Sequence, residues 1–428
     1  RSGIDRLSLQ LILGLAVFVV TYALIATERV DKTLAAVAGG VAMVLLGIVS
    51  QEEAFAHIDF NVIFLLTGMM ILAGIIRKTG VFGWLAVRAA RLAGGDGYRI
   101  LVVLSIITAV SSSFLDNVTT VVLVGPITLF LAARLGMQPF PFIVSEILAS
   151  NIGGMATLIG DPPNILIGSA AGLDFTAFLL NLTPLAALLL ALYLLAARWL
   201  FRSQLHVDPE LRDALLALDE RDMIAEPVLL RRSLIVLGLT LVGFALHGFL
   251  GYEAATVALT GAVALMFVAR EDPREVLREV EWPTLFFFIG LFMLIAGVIE
   301  LGVIRAIADA LVAVTGGALA PTSMLILWAS AALSGVVDNI PYTATMIPVV
   351  QQIAHGPESN PLWWALAIGA DLGGNATIIG ASANVILASL ADREGYSITF
   401  GRFLRYGLPV TLGSIAVSAV YLWVRYLL

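Results

Sequence analysis

Five carboxylates stand in apolar surroundings in this chain: Asp116, Glu146, Asp161, Asp338 and Asp371. Charge at membrane depth is costly and is kept where it binds or relays something. Four of the five lie among amides, hydroxyls and glycines. Asp116, Asn117 and Thr120 follow a serine run, and Asp338, Asn339 and Thr343 sit in a similar cluster. Asn151, Gly153, Gly154, Thr157, Asp161 and Asn164 share one stretch. Asp371, Gly373, Gly374, Asn375, Thr377 and Asn384 share another. Together these form the candidate substrate- and ion-binding set. Buried carboxylates exchange protons near neutral pH. Carbonyls freed by glycine or proline can coordinate a cation, and half-helix N-termini can face an anion. For Asp161 and Asp371 the rival role is a helix N-cap. Glu146 is expected nearer the interface, paired with a loop arginine, and His247 beside Gly248 is expected at the interface. Neither tip cluster nor glycine-rich stretch contains Lys or Arg.

These residues need a scaffold, and composition restricts it. The 428 residues are 60% hydrophobic and 13% charged, against about 45–50% and 25% in soluble domains. Such a chain is a polytopic membrane protein. Cysteine is absent, so disulfides and thiolate chemistry are excluded, and the four histidines are scattered, so a histidine zinc site is not expected. No metal and no cofactor are expected beyond H+ or Na+ as coupling ion, and no nucleic acid as partner. A spanning helix takes about 20 apolar residues. Runs at 8–26, 34–50, 59–76, 143–168, 175–201, 231–248, 253–270, 283–302, 361–390 and 402–426 predict an all-α protein of about ten transmembrane helices. The first reads as a span, since Glu28-Arg29 follows it rather than a cleavage site. Two further stretches, 98–133 and 320–351, carry the Asp-Asn clusters at their middles and read as re-entrant hairpins.

The two halves repeat each other. Residues 151–164 and 371–384 match at seven of 14 positions with an offset of 220, and Asp116-Asn117 falls on Asp338-Asn339 at an offset of 222. A third match places Phe64 on Phe286 and Gly68 on Gly290. Close helix packing alone explains glycine pairs, but not a 14-residue polar stretch that recurs. The first repeat spans 1–202, with hairpin 98–133 and broken helix 143–168. The second spans 231–428, with hairpin 320–351 and broken helix 361–390. The polar segment 203–230 is expected to be a cytoplasmic linker. Five spans per half invert the second repeat, the architecture of many secondary transporters. Loops on one side hold 20 of the 24 basic residues, including Arg29 and Lys32, so that side is cytoplasmic and both termini are periplasmic.

At these motifs the chain resembles the ion transporter superfamily, in the branch of ArsB arsenite pumps, NhaD Na+/H+ antiporters and the melanosomal P protein. The resemblance runs through both halves. Asn151-Ile152-Gly153-Gly154 with Gly160-Asp161-Pro162-Pro163-Asn164 is similar to the superfamily's broken-helix motif. Ser113-Phe114-Leu115-Asp116-Asn117-Val118-Thr119-Thr120 looks like the P-protein and NhaD tip. Dicarboxylate members carry Ser-Asn-Thr there, and Asp116-Asn117 and Asp338-Asn339 depart from it. The resemblance implies elevator-type alternating access, a scaffold with a transport domain, and homodimerisation in a bacterial inner membrane. Carboxylates without basic partners favour a neutral or cationic solute, a small inorganic solute or ion. Arsenite or antimonite exchanged for protons comes first, then Na+/H+ antiport, then a di/tricarboxylate symporter or an anion channel. An enzyme is not expected: no nucleophile–base pair is evident, and Gly94-Gly95-Asp96-Gly97 reads as a turn rather than a phosphate loop.

Overall fold

A computed structural model describes residues 2–27, 29–205, 207, 223–354 and 361–428. Most of the linker 203–230, with His206, and also Glu28 and His355 lie outside the described residues. The first half runs α1 (Ser2–Thr27), α2 (Lys32–Leu45), α3 (Gln51–Ala56), α4 (Phe60–Lys78) and α5 (Val81–Leu92). It continues through α6 (Gly97–Phe114), α7 (Asn117–Arg134), α8 (Phe140–Gly154), α9 (Pro162–Ala171), α10 (Phe175–Asn181) and α11 (Thr183–Leu200). The second half runs α12 (Pro227–Leu250), α13 (Ala254–Ala269), α14 (Pro273–Arg278), α15 (Trp282–Glu300) and α16 (Val303–Thr315). It ends with α17 (Leu319–Ser334), α18 (Asn339–Ile353), α19 (Pro361–Gly373), α20 (Ser382–Arg393) and α21 (Phe400–Leu422), which closes in a π-helical turn. No β-strand occurs among the described residues.

The chain is a multi-pass helical membrane protein. Eight described helices are long and apolar enough to cross a bilayer: α1, α4, α6, α7, α11, α12, α15 and α21 with its turn. Six of the eight match expected spans; the interrupted pairs α8–α9 and α19–α20 and the shorter apolar helices α2 and α13 account for the other four of the ten. Of the eight, α6 and α7 turn at Leu115-Asp116 and meet the break between α8 and α9, so they form a hairpin whose tip stops inside the molecule. The broken helices are the core: every residue of α8 and of α19 is buried, as expected of helices apolar all round. By contrast α1 exposes Leu9, Ile12, Val19 and Val20.

Element boundaries carry the repeat. Adding 222 to Phe60–Lys78 gives Trp282–Glu300, and to Gln51–Ala56 gives Pro273–Arg278. Packing carries it too: α2 lies on α15 as α13 lies on α4, and α18 lies on α9 as α20 lies on α7. Such exchanged pairing is what a two-fold relation between halves produces. Glycine makes the first exchange possible. A Cβ on Gly290 would stand 2.5 Å from the Ala36 carbonyl carbon, and one on Gly68 would stand 2.7 Å from that of Ala258, the repeat mate of Ala36.

Two helices lie where loops were expected. α5 and α16, of 12 and 13 residues, are too short to register as spans. Each starts after a left-handed glycine, Gly80 at φ 76° and Gly302 at φ 72°. Both are amphipathic: Val81, Phe82 and Val87 of α5 and Ile304 and Ala308 of α16 point inward. Gly94-Gly95-Asp96 is indeed a turn, with φ of 60° and 72° at the glycines and Asp96 capping α6 through Arg99 N at 2.8 Å.

Candidate functional site

The two breaks are built alike. The side-chain amide of Asn164 donates to the carbonyls of Gly154, Met155 and Thr157 at 3.3, 3.3 and 3.0 Å. Its mate Asn384 donates to Gly374 and Thr377 at 2.7 and 3.0 Å. Each break thus satisfies its freed carbonyls from within, as buried backbone requires. The glycines there permit contact rather than unusual angles, since none of Gly153, Gly154, Gly373 and Gly374 has positive φ. A Cβ on Gly153 would meet the Ala109 carbonyl oxygen at 2.1 Å; one on Gly373 would meet that of Ala331 at 2.7 Å. A Cβ on Gly154 or Gly374 would meet the Gly160 or Gly380 carbonyl oxygen at 2.8 or 3.2 Å.

Hydroxyls then fasten each hairpin to its break. Ser112 donates to the Ser150 carbonyl at 2.8 Å and its mate Ser334 to that of Ala370 at 2.6 Å. Thr157 donates to the Ser113 carbonyl, and Thr377 to that of Gly335 at 2.6 Å. Thr157 and Thr377 therefore hold the tips, with their hydroxyl protons committed to that task.

Both tips converge on one carboxylate. Asn117 of the first tip donates to Asp161 Oδ2 at 2.9 Å. Asn339 of the second tip donates a longer bond shared by Asp161 Oδ1 and Oδ2, 3.4 Å to each. Asn117 also approaches Asn151 Oδ1 at 3.3 Å, and the Asn151 amide donates to Asn375 Oδ1 at 2.9 Å and Asn384 Oδ1 at 3.1 Å. Six residues from both halves thus form one buried polar network, with Asp161 wholly buried at its centre. Asp161 begins α9 without capping it, so the N-cap role does not apply. Asp371, wholly buried inside α19, is no cap either. It lies in the field of Asp161 and against Asn164. Thr120 and Thr343 are wholly buried, and their hydroxyls have no hydrogen-bond partner among the described residues.

Asp116 and Asp338 are the capping aspartates. Asp116 accepts from Thr119 N at 2.8 Å and Thr119 Oγ1 at 2.5 Å at the start of α7. Asp338 accepts from Ile340 N at 3.1 Å at the start of α18. Asp338 also has a cation. Lys32 Nζ lies 3.6 Å from Asp338 Oδ2 and donates at 2.5 Å to Ser382 Oγ, which donates onward to Asp338 at 2.5 Å. The ammonium also lies 5.3 Å from the Phe287 ring centroid. Lys32 reads in the sequence as a loop charge. It starts α2, and the capping of that helix by Asp31, 2.9 Å from Thr33 N, brings it to the second tip. The absence of basic residues from the tips and breaks therefore does not extend to their surroundings.

One other residue differs from expectation. Glu146 is fully buried in α8, bonded to the Thr128 hydroxyl rather than to an arginine, and its Oε2 has no partner among the described residues. His247 is buried, accepting from Phe175 N at 3.3 Å and lying 2.9 Å from the Tyr252 carbonyl. Ser382 and Thr128 had no sequence signal beyond small polar residues in apolar runs.

With this geometry in view, known proteins supply the family. A family model described as "Citrate transporter" (CitMHS) matches residues 22–369. The chain belongs to this family. It is 44% identical over 423 residues to a Mycobacterium tuberculosis protein named an uncharacterized transporter, Rv2684, covering 97% of this chain and 98% of that one. It is 34% identical to the human P protein, covering 97% of this chain but 60% of the longer relative. The YdaH transporter of Alcanivorax borkumensis shares its fold, with a TM-score of 0.62, 16% identity and 98% of each chain covered. The protein is a membrane transporter of the ion transporter superfamily and not an enzyme.

Proposed function

We propose that this transporter is a proton-coupled secondary carrier that exports arsenite or antimonite across a bacterial plasma membrane, its termini on the periplasmic side. The observation that carries this reading is the pair Asp161 and Asp371, wholly buried, sharing each other's field, with no basic side chain among the described residues bonded to either. A polyanion entering there would meet like charge and pay its desolvation as well. Arsenite is a neutral hydroxide at neutral pH and hydrogen-bonds to amides and hydroxyls without that penalty. The mechanism that fits is elevator-type alternating access: hairpins and broken helices, tied together by the bonds above, move as one body against α1–α4 and α12–α15. Hydrogen bonds and the Lys32 ion pair across that boundary exchange on each cycle.

A second reading is a di- or tricarboxylate carrier, favoured by Lys32 beside the second tip and by the family's description. Proteoliposomes containing the full chain separate the two. Arsenite accumulation driven by a proton gradient is the expected result. Saturable citrate or succinate uptake without arsenite movement would overturn it, and Na+-evoked proton release alone would make the protein a Na+/H+ antiporter.

A further inference from the structure

Asp371 and Asn151 are repeat mates, each wholly buried in its interrupted helix. The Asn151 amide donates to Asn384 Oδ1 at 3.1 Å. Asn164, the mate of Asn384, lies beside Asp371. Yet among the described residues neither oxygen of Asp371 accepts a hydrogen bond, and neither does Asn164 Oδ1. Both residues are wholly buried. Turning the Asn164 amide round does not help, since its NH2 is already given to Gly154, Met155 and Thr157. Two acceptors in a dry site repel unless a hydrogen lies between them. A carboxyl bearing a proton has the shape and the donor of an asparagine side chain.

We infer that Asp371 is the residue that carries the transported proton, bonding to Asn164 when protonated as Asn151 bonds permanently to Asn384. This rests on the proposed proton coupling and names its carrier. The other carboxylates of the site are otherwise engaged. Asp116 and Asp338 cap helices, and Asp161 accepts from Asn117 and Asn339. Of the elements packed on α19, α9 and α17 have no titratable residue. α8 brings Glu146, bonded to Thr128, and α18 brings Tyr342, whose hydroxyl pairs with Ser330 at 2.9 Å. α21 contributes Arg402, stacked on Phe140, along with Arg405, Tyr406 and Tyr421. Asp161 is the charge whose field Asp371 shares. Release passes the Asp371 proton to water on one side of the membrane. The carboxylate left behind faces Asn164 Oδ1 and Asp161, and that repulsion loosens α19 from α9, joining proton loss to movement. Re-protonation from the other side restores the contact.

Infrared difference spectroscopy on the purified full chain in liposomes tests this without any solute. The wild type should show a protonated-carboxyl stretch at neutral pH that shifts in D2O. Asp371→Asn should lose that component, while Asp161→Asn and Glu146→Gln should keep it. The exchanged variant Asn151→Asp with Asp371→Asn should regain it, and serves if the single variant folds poorly. Glu146, buried with Oε2 unpartnered among the described residues, should give a separate component that Glu146→Gln removes; a spectrum from which Asp371→Asn removes nothing would overturn the inference. Where arsenite flux is measurable, Asp371→Asn should abolish its accumulation under a proton gradient. A proteoliposome that moves no arsenite yet shows the Asp371 band would refute the solute and leave the proton carrier standing.

Discussion

The first tip and the second tip share their backbone plan and differ in charge. Asp116 and Asp338 cap equivalent helices. Asp338 meets Lys32 and Ser382. Around the first tip the charges are mixed: Glu281 shares the field of Asp116, and a small cavity of about 40 Å³ at Thr119 is lined by Arg77, Glu279 and Glu281, with Arg77 and Glu279 paired. The repeat mate of Lys32 is Ala254, and that of Ser382 is Pro162. A duplicated scaffold has thus kept its hydrogen-bonded joints in both halves while one tip gained an internal cation. The joints answer to geometry, which the two-fold relation copies, whereas charge is free to diverge.

The largest test of that separation lies in the joints. Gly153→Ala drives a Cβ into the Ala109 backbone, with contacts of 2.1 and 2.5 Å, whereas Gly373→Ala meets Ala331 at 2.7 and 2.8 Å. Backbone on both sides cannot swing away. Overpacking typically costs about 1–3 kcal/mol and sometimes more. Gly153→Ala should sit at or beyond the top of that range and Gly373→Ala inside it, read as thermal unfolding in detergent. Gly413→Ala, with nothing within 4 Å, should melt like the wild type. A Gly373→Ala variant less stable than Gly153→Ala would show that the halves do not share their joints.

Next in size is Asp161→Ala. It takes the acceptor from Asn117 and Asn339 together, and each buried donor left without a partner costs about 1–3 kcal/mol. The melting point should fall and transport should cease. An Asp161→Ala variant of wild-type stability would mean that the tips are held apart from this carboxylate.

Much of this was legible in the sequence, and the limits have physical causes. Repetition is a pattern along the chain, so the hairpins, the breaks and the Asp-Asn tips could be read from matched residues. Glycine spacing marked Gly68 and Gly290, although the reason, close approach to Ala258 and Ala36, needed the packing. α5 and α16 escaped because spans are sought by length. Lys32 escaped because it is about 300 residues from Asp338, and only the α2–α15 contact brings it there. Glu146 looked interfacial since nothing in the sequence reveals Thr128 facing it. Capping, too, needs backbone angles: Asp116 and Asp161 both precede helices, and Asp116 alone turns its side chain back.

A smaller effect on stability comes from the cation. The Lys32 and Asp338 side chains are 31% and 14% exposed, and a partly exposed pair contributes on the order of 1 kcal/mol or less. Lys32→Met should therefore leave the melting point almost unchanged while altering transport, because the pair bridges the two bodies proposed to move. Asp338→Asn should have the same effect, and the double variant should be no worse than either, as residues acting through one contact are not additive. Additive losses would mean that Lys32 acts elsewhere. Ala254→Lys tests the converse, whether a cation at the equivalent place in the first half makes the two tips behave alike.

The smallest structural effect, and the finest test of the comparison, lies with Thr120 and Thr343. The repeat does not pair them, since Thr343 falls on Val121 and Thr120 on Tyr342 at the offset of 222. Each nonetheless places behind its own tip a buried hydroxyl without a partner among the described residues. Valine has nearly the volume of threonine and lacks the hydroxyl. Where that hydroxyl makes no bond in the folded protein, removing it forfeits no hydrogen bond and spares the burial of a polar group. Thr120→Val and Thr343→Val should thus unfold at or slightly above the wild-type temperature. If these hydroxyls meet the solute as the site opens, both variants should raise KM with little change in the maximal rate, the pattern of lost uniform binding. A fall in stability of 2 kcal/mol or more, about the size of a lost buried partner, would show that both hydroxyls already serve the fold. The tips would then differ in charge alone, with no second set of groups reserved for the solute.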